Sequence, residues 1–294
     1  MPRLIFLIPY FGVWPFWMPF FLRSCAANPD IDWRIFTDCP IPENVPDNVY
    51  FQTISFADYC HLVAERLEIV FQPDNYRKLC DLKPALGYIH ADILVNYDYW
   101  GFGDIDLVYG DLREFLTKID LPRYALFSTH ARRVSGHLCL MRNTPEMRMA
   151  FMSCKDWRKK LAHPEHLTFD EGAFSRLFIR HKNWPEPLRK LANKWNPWWR
   201  RSLFMETWST PGARIPWHDG GRNFPDCWIW RQGRLYNDRD GDRSFPYFHF
   251  AAWKYNCWPA YDTAQLLPIH TAFTPLEHGN AFCITASGFR EIPA

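Results

Sequence analysis

Phe102-Gly103-Asp104-Ile105-Asp106-Leu107-Val108-Tyr109-Gly110-Asp111 sets two carboxylates, at 104 and 106, directly behind an aromatic-rich run at 97–102. The run reads as a buried strand. Carboxylates at its end must be paired, hydrogen-bonded or metal-bound, because an uncompensated ion in an apolar interior is very costly. Hard oxygen donors suit Mg²⁺ or Mn²⁺, ions that bridge carboxylates to substrate phosphates. The stretch therefore implies chemistry on a diphosphate-containing compound. A plain turn, with its carboxylates capping a helix that opens near Leu112, is the competing reading, and Asp111 suits the capping task better.

Working outward, the first third alternates strand and helix. Residues 4–8 read as a first strand, 9–12 as a turn, and a helix runs from near Pro15 to Asn28. Residues 33–37 form a second strand ending at Asp38, and 49–54 a third. Residues 56–70 have helical apolar spacing, with Leu62, Val63, Leu67 and Val70 on one side. A helix over 82–94 carries Pro84 in its first turn. This order predicts an α/β chain with a mostly parallel central sheet flanked by helices. Ligands of such sheets sit beyond the carboxyl ends of the strands, where Pro9, Tyr10, Asp38, Asp104 and Asp106 all fall. Further strands are expected at 124–128 and 137–141, and helices at 146–161 and 168–179. Residues 184–242 look irregular and aromatic-rich, and order returns at 247–254. Neither a repeat nor a low-complexity linker divides the chain, so one domain over 1–294 is expected.

Composition excludes several classes. A chain of 294 residues that is 48% hydrophobic and 22% charged supports a core and argues against disorder. A formal charge of +2 does not indicate a nucleic-acid binder. The 15 Trp suit stacking on sugars and bases, or a membrane interface. Nine Cys without a Cys-x-x-Cys pair lack zinc-site spacing and fit reduced thiols in the cytoplasm. Residues 4–22 are apolar, but Pro9, Gly12, Pro15 and Pro19 interrupt them, which favours a strand and helix over a leader or membrane anchor.

A strand, then Gly-Asp-Ile-Asp, then a helix opening Asp111-Leu112-Arg113 resembles the Asp-x-Asp motif of GT-A fold glycosyltransferases. Two further segments carry the likeness. Tyr76-Arg77-Lys78-Leu79-Cys80-Asp81-Leu82-Lys83-Pro84 is similar to the segment ahead of that motif. Phe248-His249-Phe250-Ala251-Ala252-Trp253-Lys254 resembles the late His and Lys of family 8-like members. The whole also looks like bacterial proteins of polysaccharide gene clusters. The resemblance implies an Rossmann-like GT-A domain with a nucleotide-sugar-binding half at 1–130 and an acceptor-side half at 131–294. It implies a metal-dependent hexosyltransferase that moves a hexose from a UDP-sugar, UDP-galactose or UDP-glucose, to a saccharide acceptor in surface polysaccharide biosynthesis, with retention. Mn²⁺ (or Mg²⁺) would sit on Asp104, Asp106 and His249. Lys254 would meet the diphosphate, and Lys78, Asp81 and Lys83 would help seat the donor.

The remaining constellations each carry a plainer alternative. Asp170 and Glu171 are the expected catalytic carboxylates, serving the sugar or the acceptor hydroxyl, although Thr168 with Glu171 also forms a capping-box pattern. Gly136 and His137 are expected to line the sugar pocket, or else form a hairpin turn. Pro9, Tyr10 and Asp38 suit a base-and-ribose site, or a turn with a strand-end cap. In residues 188–201, basic residues interleave with Trp, as in a segment that lies on a membrane; the alternative is a packed aromatic surface. A lipid-linked acceptor, and a peripheral position at the inner face of the cytoplasmic membrane, would follow from the first reading. Two rival functions stand beside the transferase. A sugar nucleotidyltransferase would need a Gly-rich basic loop after the first strand, where this chain has Pro9-Tyr10-Phe11-Gly12-Val13-Trp14. A non-catalytic carbohydrate-binding protein would need no diphosphate site.

Overall fold

The computed structural model describes residues 2–207, 216–258 and 281–292. In chain order its strands are β1 (Leu4–Pro9), β2 (Ile31–Thr37), β3 (Val49–Thr53), β4 (Tyr99–Gly103), β5 (Leu107–Tyr109), β6 (Leu126–Ser128) and β7 (Leu138–Arg142). They continue with β8 (Ser202–Phe204), β9 (Cys227–Arg231), β10 (Arg234–Asn237), β11 (Tyr247–His249), β12 (Ala281–Thr285) and β13 (Gly288–Ile292). The main sheet has seven strands in the order β3-β2-β1-β4-β7-β6-β8. Its first four are mutually parallel, β7 runs antiparallel to β4 and β6, and β8 lies parallel to β6.

The two central parallel strands, β1 and β4, are buried on both faces and are therefore apolar almost throughout, whereas β2 and the edge strand β3 alternate with polar residues. In β1, Ile5 and Leu7 join Trp100 and Phe102 in one cluster, while Leu4, Phe6 and Ile8 join Trp33 and Tyr109 in the other. Each such side chain contributes roughly 1.5–3 kcal/mol on burial. The helix Phe56–Leu67 covers the first face with Tyr59, Val63 and Leu67, and Ser55 caps it by accepting from the Asp58 N–H at 3.1 Å. The helix Met18–Ala26 covers the second with Met18, Phe21, Leu22 and Cys25; it opens three residues later than Pro15, the expected start.

Other expected helices are broken. Residues 82–94 form short turns, a 3₁₀ segment Lys83–Ala85 and a helical turn Leu86–Ile89, rather than one helix. Pro84 withholds an N–H there. Gly87 seats the Trp100 indole, against which a Cβ would stand at only 2.2 Å. Residues 146–161 split into Pro145–Arg148, Ala150–Ser153 and Trp157–Ala162, with Asp156 in the left-handed region at φ 56°. Residues 168–179 become a π-helical turn Asp170–Phe174 and a single α turn Ser175–Phe178.

The expected irregular region is more ordered than its composition suggests. It includes the helix Glu186–Asn193, β8, and two strands of a four-stranded antiparallel sheet, β10-β9-β12-β13. Trp217, Trp228, Trp230 and Trp258 pack with Trp17, Phe248 and Phe250 into a third core; Trp228 stacks on Phe248 at 4.6 Å. Much of the Trp excess is therefore packing rather than a sugar-stacking surface. A separate two-stranded ladder pairs β11 with β5, matching Tyr247 to Tyr109, Phe248 to Val108 and His249 to Leu107. Among the described residues, no helix is long and apolar enough to cross a membrane.

Candidate metal centre and its crevice

The β5–β11 ladder builds the site. It sets His249 beside Leu107, one residue past Asp106, although 143 positions separate the imidazole from the carboxylate. The Phe250 N–H then donates to the Asp106 carbonyl at 3.3 Å. Ile105 is buried between the two aspartates, and its carbonyl accepts from the Trp17 indole at 3.0 Å. With the spacer anchored in the core, Asp104 and Asp106 lie together at the end of β4. Ligand atoms of Asp104, Asp106 and His249 all fall within 4.8 Å of one another.

Two lysines offset the paired carboxylates. Lys254, at the far end of a turn that starts at Phe250, donates to Asp106 Oδ2 at 2.9 Å. Lys83 is buried, pairs with Asp104, and donates to the Gly136 carbonyl at 2.8 Å. Burial would raise the Asp106 carboxyl, but His249 and then Lys254 outweigh it and hold it well below the usual carboxylate range. Burial would lower both ammonium groups; Asp104 beside Lys83, and Asp106 beside Lys254, keep them protonated. His249 Nε2 stands 3.5 Å from Asp106 Oδ1. Asp106 Oδ1 and His249 Nδ1 are buried with no hydrogen-bond partner, a costly arrangement that a bound cation would relieve. Two carboxylates and one imidazole form a mixed oxygen/nitrogen set that fits Mn²⁺ and, less readily, Mg²⁺.

The wall of the crevice comes from the β6–β7 loop and the π-helical turn. His137 stacks on His249 with ring centroids 4.3 Å apart and bonds the Tyr247 hydroxyl through Nε2 at 2.8 Å. Burial, then the neighbouring His249, pushes the His137 imidazole well below its ordinary value, so it is neutral. Asp170 is buried, and its Oδ2 would stand 2.8 Å from a Cβ placed on Gly136. Burial pushes its carboxyl up to about 7 against the opposing Lys83. Asp170 Oδ1 also has no hydrogen-bond partner. Glu171 pairs with Arg133 at 3.1 Å. The capping-box alternative is not what forms: Thr168 is left-handed at φ 54°, and the π turn begins without a side-chain cap.

The structure thus brings together Lys83, Asp104, Asp106, Gly136, His137, Asp170, Glu171, His249 and Lys254. Lys78 and Asp81 are not presented to the crevice. They form a wholly buried ion pair at 2.8 Å. Lys78 also donates to the carbonyls of Lys160 and Glu165, and Asp81 accepts from the N–H groups of Leu167 and Phe169. Their role here is to fix the loop leading into Asp170, so seating the donor directly is not what this geometry offers. Asp81 also lies within 4.8 Å of His166 and Asp170 as a second set of ligand atoms, but its oxygens are already taken up by these donors. Pro9 ends β1 in register with Phe36. Tyr10 stacks on Trp14 at 5.1 Å and donates to the Val13 carbonyl at 2.7 Å. Asp38 is exposed and accepts from the N–H of Gly12, whose φ of 110° favours glycine. These three shape the loop after β1 and are not among the clustered ligand atoms of the centre. Ser135, in the expected pocket loop, bonds His137; sequence reasoning missed Tyr247 and Thr207, which complete that network. The Tyr247-x-His249 alternation was the available signal, because such residues share one face of a strand.

Fold and site together define an α/β protein with a candidate divalent-cation centre at the carboxyl ends of its parallel strands. The chain belongs to the family described as "Family of unknown function (DUF6625)", which matches residues 6–277. No curated protein matches its sequence. Among solved structures, it is similar to mouse xyloside xylosyltransferase 1 in its apo form, at 11% identity and a TM-score of 0.36, over 60% of this chain and 81% of that one. It is similar to galactosyltransferase LgtC in complex with donor and acceptor sugar analogs, at 12% identity and a TM-score of 0.37, over 73% and 89%. It is also similar to the glycosyltransferase GlyE of Streptococcus pneumoniae TIGR4, at 13% identity and a TM-score of 0.29, over 70% and 46%.

Proposed function

We propose that this protein is a metal-dependent glycosyltransferase of the GT-A type that moves a hexose from a UDP-sugar to a saccharide acceptor. The observation that carries the reading is the Asp104–Asp106–His249 cluster with Lys254 fixed against it. Asp104, Asp106 and His249 would hold Mn²⁺ (or Mg²⁺). When bound, the ion supplies Lewis-acid stabilisation of the diphosphate. Lys254 places a positive charge where the leaving diphosphate gains negative charge. Lys83 ties Asp104 to the Gly136 backbone and so fixes the crevice floor. Stacked on His249, the neutral His137 holds that ring in place. Asp170 offers an oxygen with no hydrogen-bond partner, suited to a sugar or acceptor hydroxyl, and Arg133 orients Glu171 beside it. UDP as the nucleotide, galactose or glucose as the sugar, retention, and a place in polysaccharide assembly rest on the sequence resemblance, and the cytoplasmic side on the cysteine pattern.

The test is nucleotide release from a panel of nucleotide-sugars, run with Mn²⁺, Mg²⁺ or chelator. A UDP-hexose should turn over only with metal, and Asp106→Ala should abolish transfer while its circular dichroism stays native. Turnover indifferent to chelator and to Asp106→Ala would refute the assignment. Release of pyrophosphate instead of nucleoside diphosphate would favour the nucleotidyltransferase.

A further inference from the structure

The helix Glu186–Asn193 is packed inside out. Its inward positions are polar: Arg189 and Asn193 are buried. Asn193 donates to the carbonyls of Arg180 and Arg189 and accepts from the Arg180 N–H, while Asn196 beyond it donates to the carbonyls of Leu177 and Phe178. Its outward positions carry two exposed leucines beside the Glu186–Lys190 pair: Leu188 and Leu191 are 52% and 67% exposed, and Trp195, two residues past the helix end, is 80% exposed at the same spacing. An ordinary surface helix has the opposite arrangement.

Charge says what covers this face. Residues 180–201 hold seven basic side chains and one acidic, a net of +6 in a chain of +2, so the rest of the protein carries −4. The single acid, Glu186, is already paired with Lys190 at 2.7 Å. Beside the helix, against the edge strand β8, lies a groove of about 840 Å³ whose lining includes Arg189, Lys194, Arg200, Trp199 and Phe204, with Glu186 as its one acid. Two leucines and a tryptophan exposed side by side, bordered by lysine and a groove lined by four cations and one acid, match the headgroup boundary of an anionic bilayer. A nucleic acid would leave the leucines unused.

We propose that this face docks on an anionic lipid bilayer, with Leu188, Leu191 and Trp195 entering the headgroup boundary and the groove meeting lipid phosphates. The loop that reaches Gly136 in the crevice passes this groove, which Ala131 lines. The proposal does not depend on the transferase reading, because its readout is partitioning rather than turnover.

The experiment is flotation of the full chain with vesicles of phosphatidylcholine, with and without roughly 30 mol % phosphatidylglycerol. Binding should require the anionic lipid and weaken about tenfold or more at high salt. Leu191→Glu/Trp195→Ser and, separately, Lys194→Glu/Arg200→Glu should each reduce partitioning about tenfold or more, with unchanged thermal unfolding, since these side chains are exposed. Absence of binding to anionic vesicles at low salt overturns the proposal, as does equal partitioning of wild type and both variants. Self-association abolished by Leu191→Glu while vesicle binding persists also overturns it, by showing that a second copy covers the face.

Discussion

Gly136→Ala is a small change with a large expected effect. The added Cβ would meet Asp170 Oδ2 at 2.8 Å and Glu171 Oε1 at 3.5 Å, where ordinary contact begins at 3.4 Å. Asp170 must therefore move by about 0.6 Å, or the loop must. Asp170 is buried, and the Gly136 carbonyl holds Lys83, so either shift is transmitted to the Asp104 side of the crevice. Gly136 does not adopt a left-handed conformation, so the substitution isolates the clash from backbone strain. Overpacking of this kind costs about 1–3 kcal/mol. A misplacement of under an ångström at reacting groups lowers turnover roughly tenfold to a hundredfold. Gly172→Ala is the control: it lies two residues beyond Asp170 and a Cβ there meets nothing within 4 Å. It should leave turnover unchanged and gain about 0.5–1 kcal/mol from the helical propensity of alanine. Both variants are read by urea unfolding and by nucleotide release. Gly136→Ala unfolding within about 0.5 kcal/mol of wild type, with turnover within about twofold, would refute the packing argument.

Two further predictions concern the buried titratable groups. Lys78→Met leaves Asp81 without its cation and should cost about 3–5 kcal/mol of stability, with little change in donor KM among folded molecules; a raised KM at unchanged stability would instead restore Lys78 to the donor site. His90 is buried, stacks on Phe36 at 4.0 Å, and is pushed by burial down to about 3, with Arg66 and Arg34 adding to the shift. Its folded pKa lies below the unfolded one, so its stability contribution is complete above the unfolded value and is lost as pH falls through it toward 3. Between neutral pH and about pH 5 the loss is about 2 kcal/mol, and the stability gap between wild type and His90→Gln should narrow by that amount. A gap independent of pH would show that the imidazole is not held neutral.

Much of the fold was legible because the parallel half is written in local signals. Apolar runs bounded by turn residues gave β1 to β4, apolar spacing placed the helix over Phe56–Leu67, and strand ends located Asp104 and Asp106. Helices were overread where a local pattern met a tertiary demand: Pro84 and the Trp100 indole against Gly87 break one, and left-handed Asp156 breaks another. The β5–β11 ladder joins residues far apart in sequence, and three-residue strands leave almost no periodicity to read. His249 was therefore reached by resemblance, not by pattern. Lys78 and Asp81 were misplaced because sequence cannot distinguish a buried ion pair from one facing a ligand. The apolar spacing of Leu188 and Leu191 normally signals a core face, yet here three buried polar side chains, of Arg189, Asn193 and Asn196, take the inner positions.

The central claim is that Asp104, Asp106 and His249 grip one divalent cation. Calorimetric titration of Mn²⁺ into wild type, Asp106→Asn and His249→Ala, with and without UDP, tests it without any assumption about the sugar. A single site that weakens about tenfold or more in each variant, and tightens with UDP only in wild type, is the expected result. Equal Mn²⁺ affinity in all three proteins would contradict it.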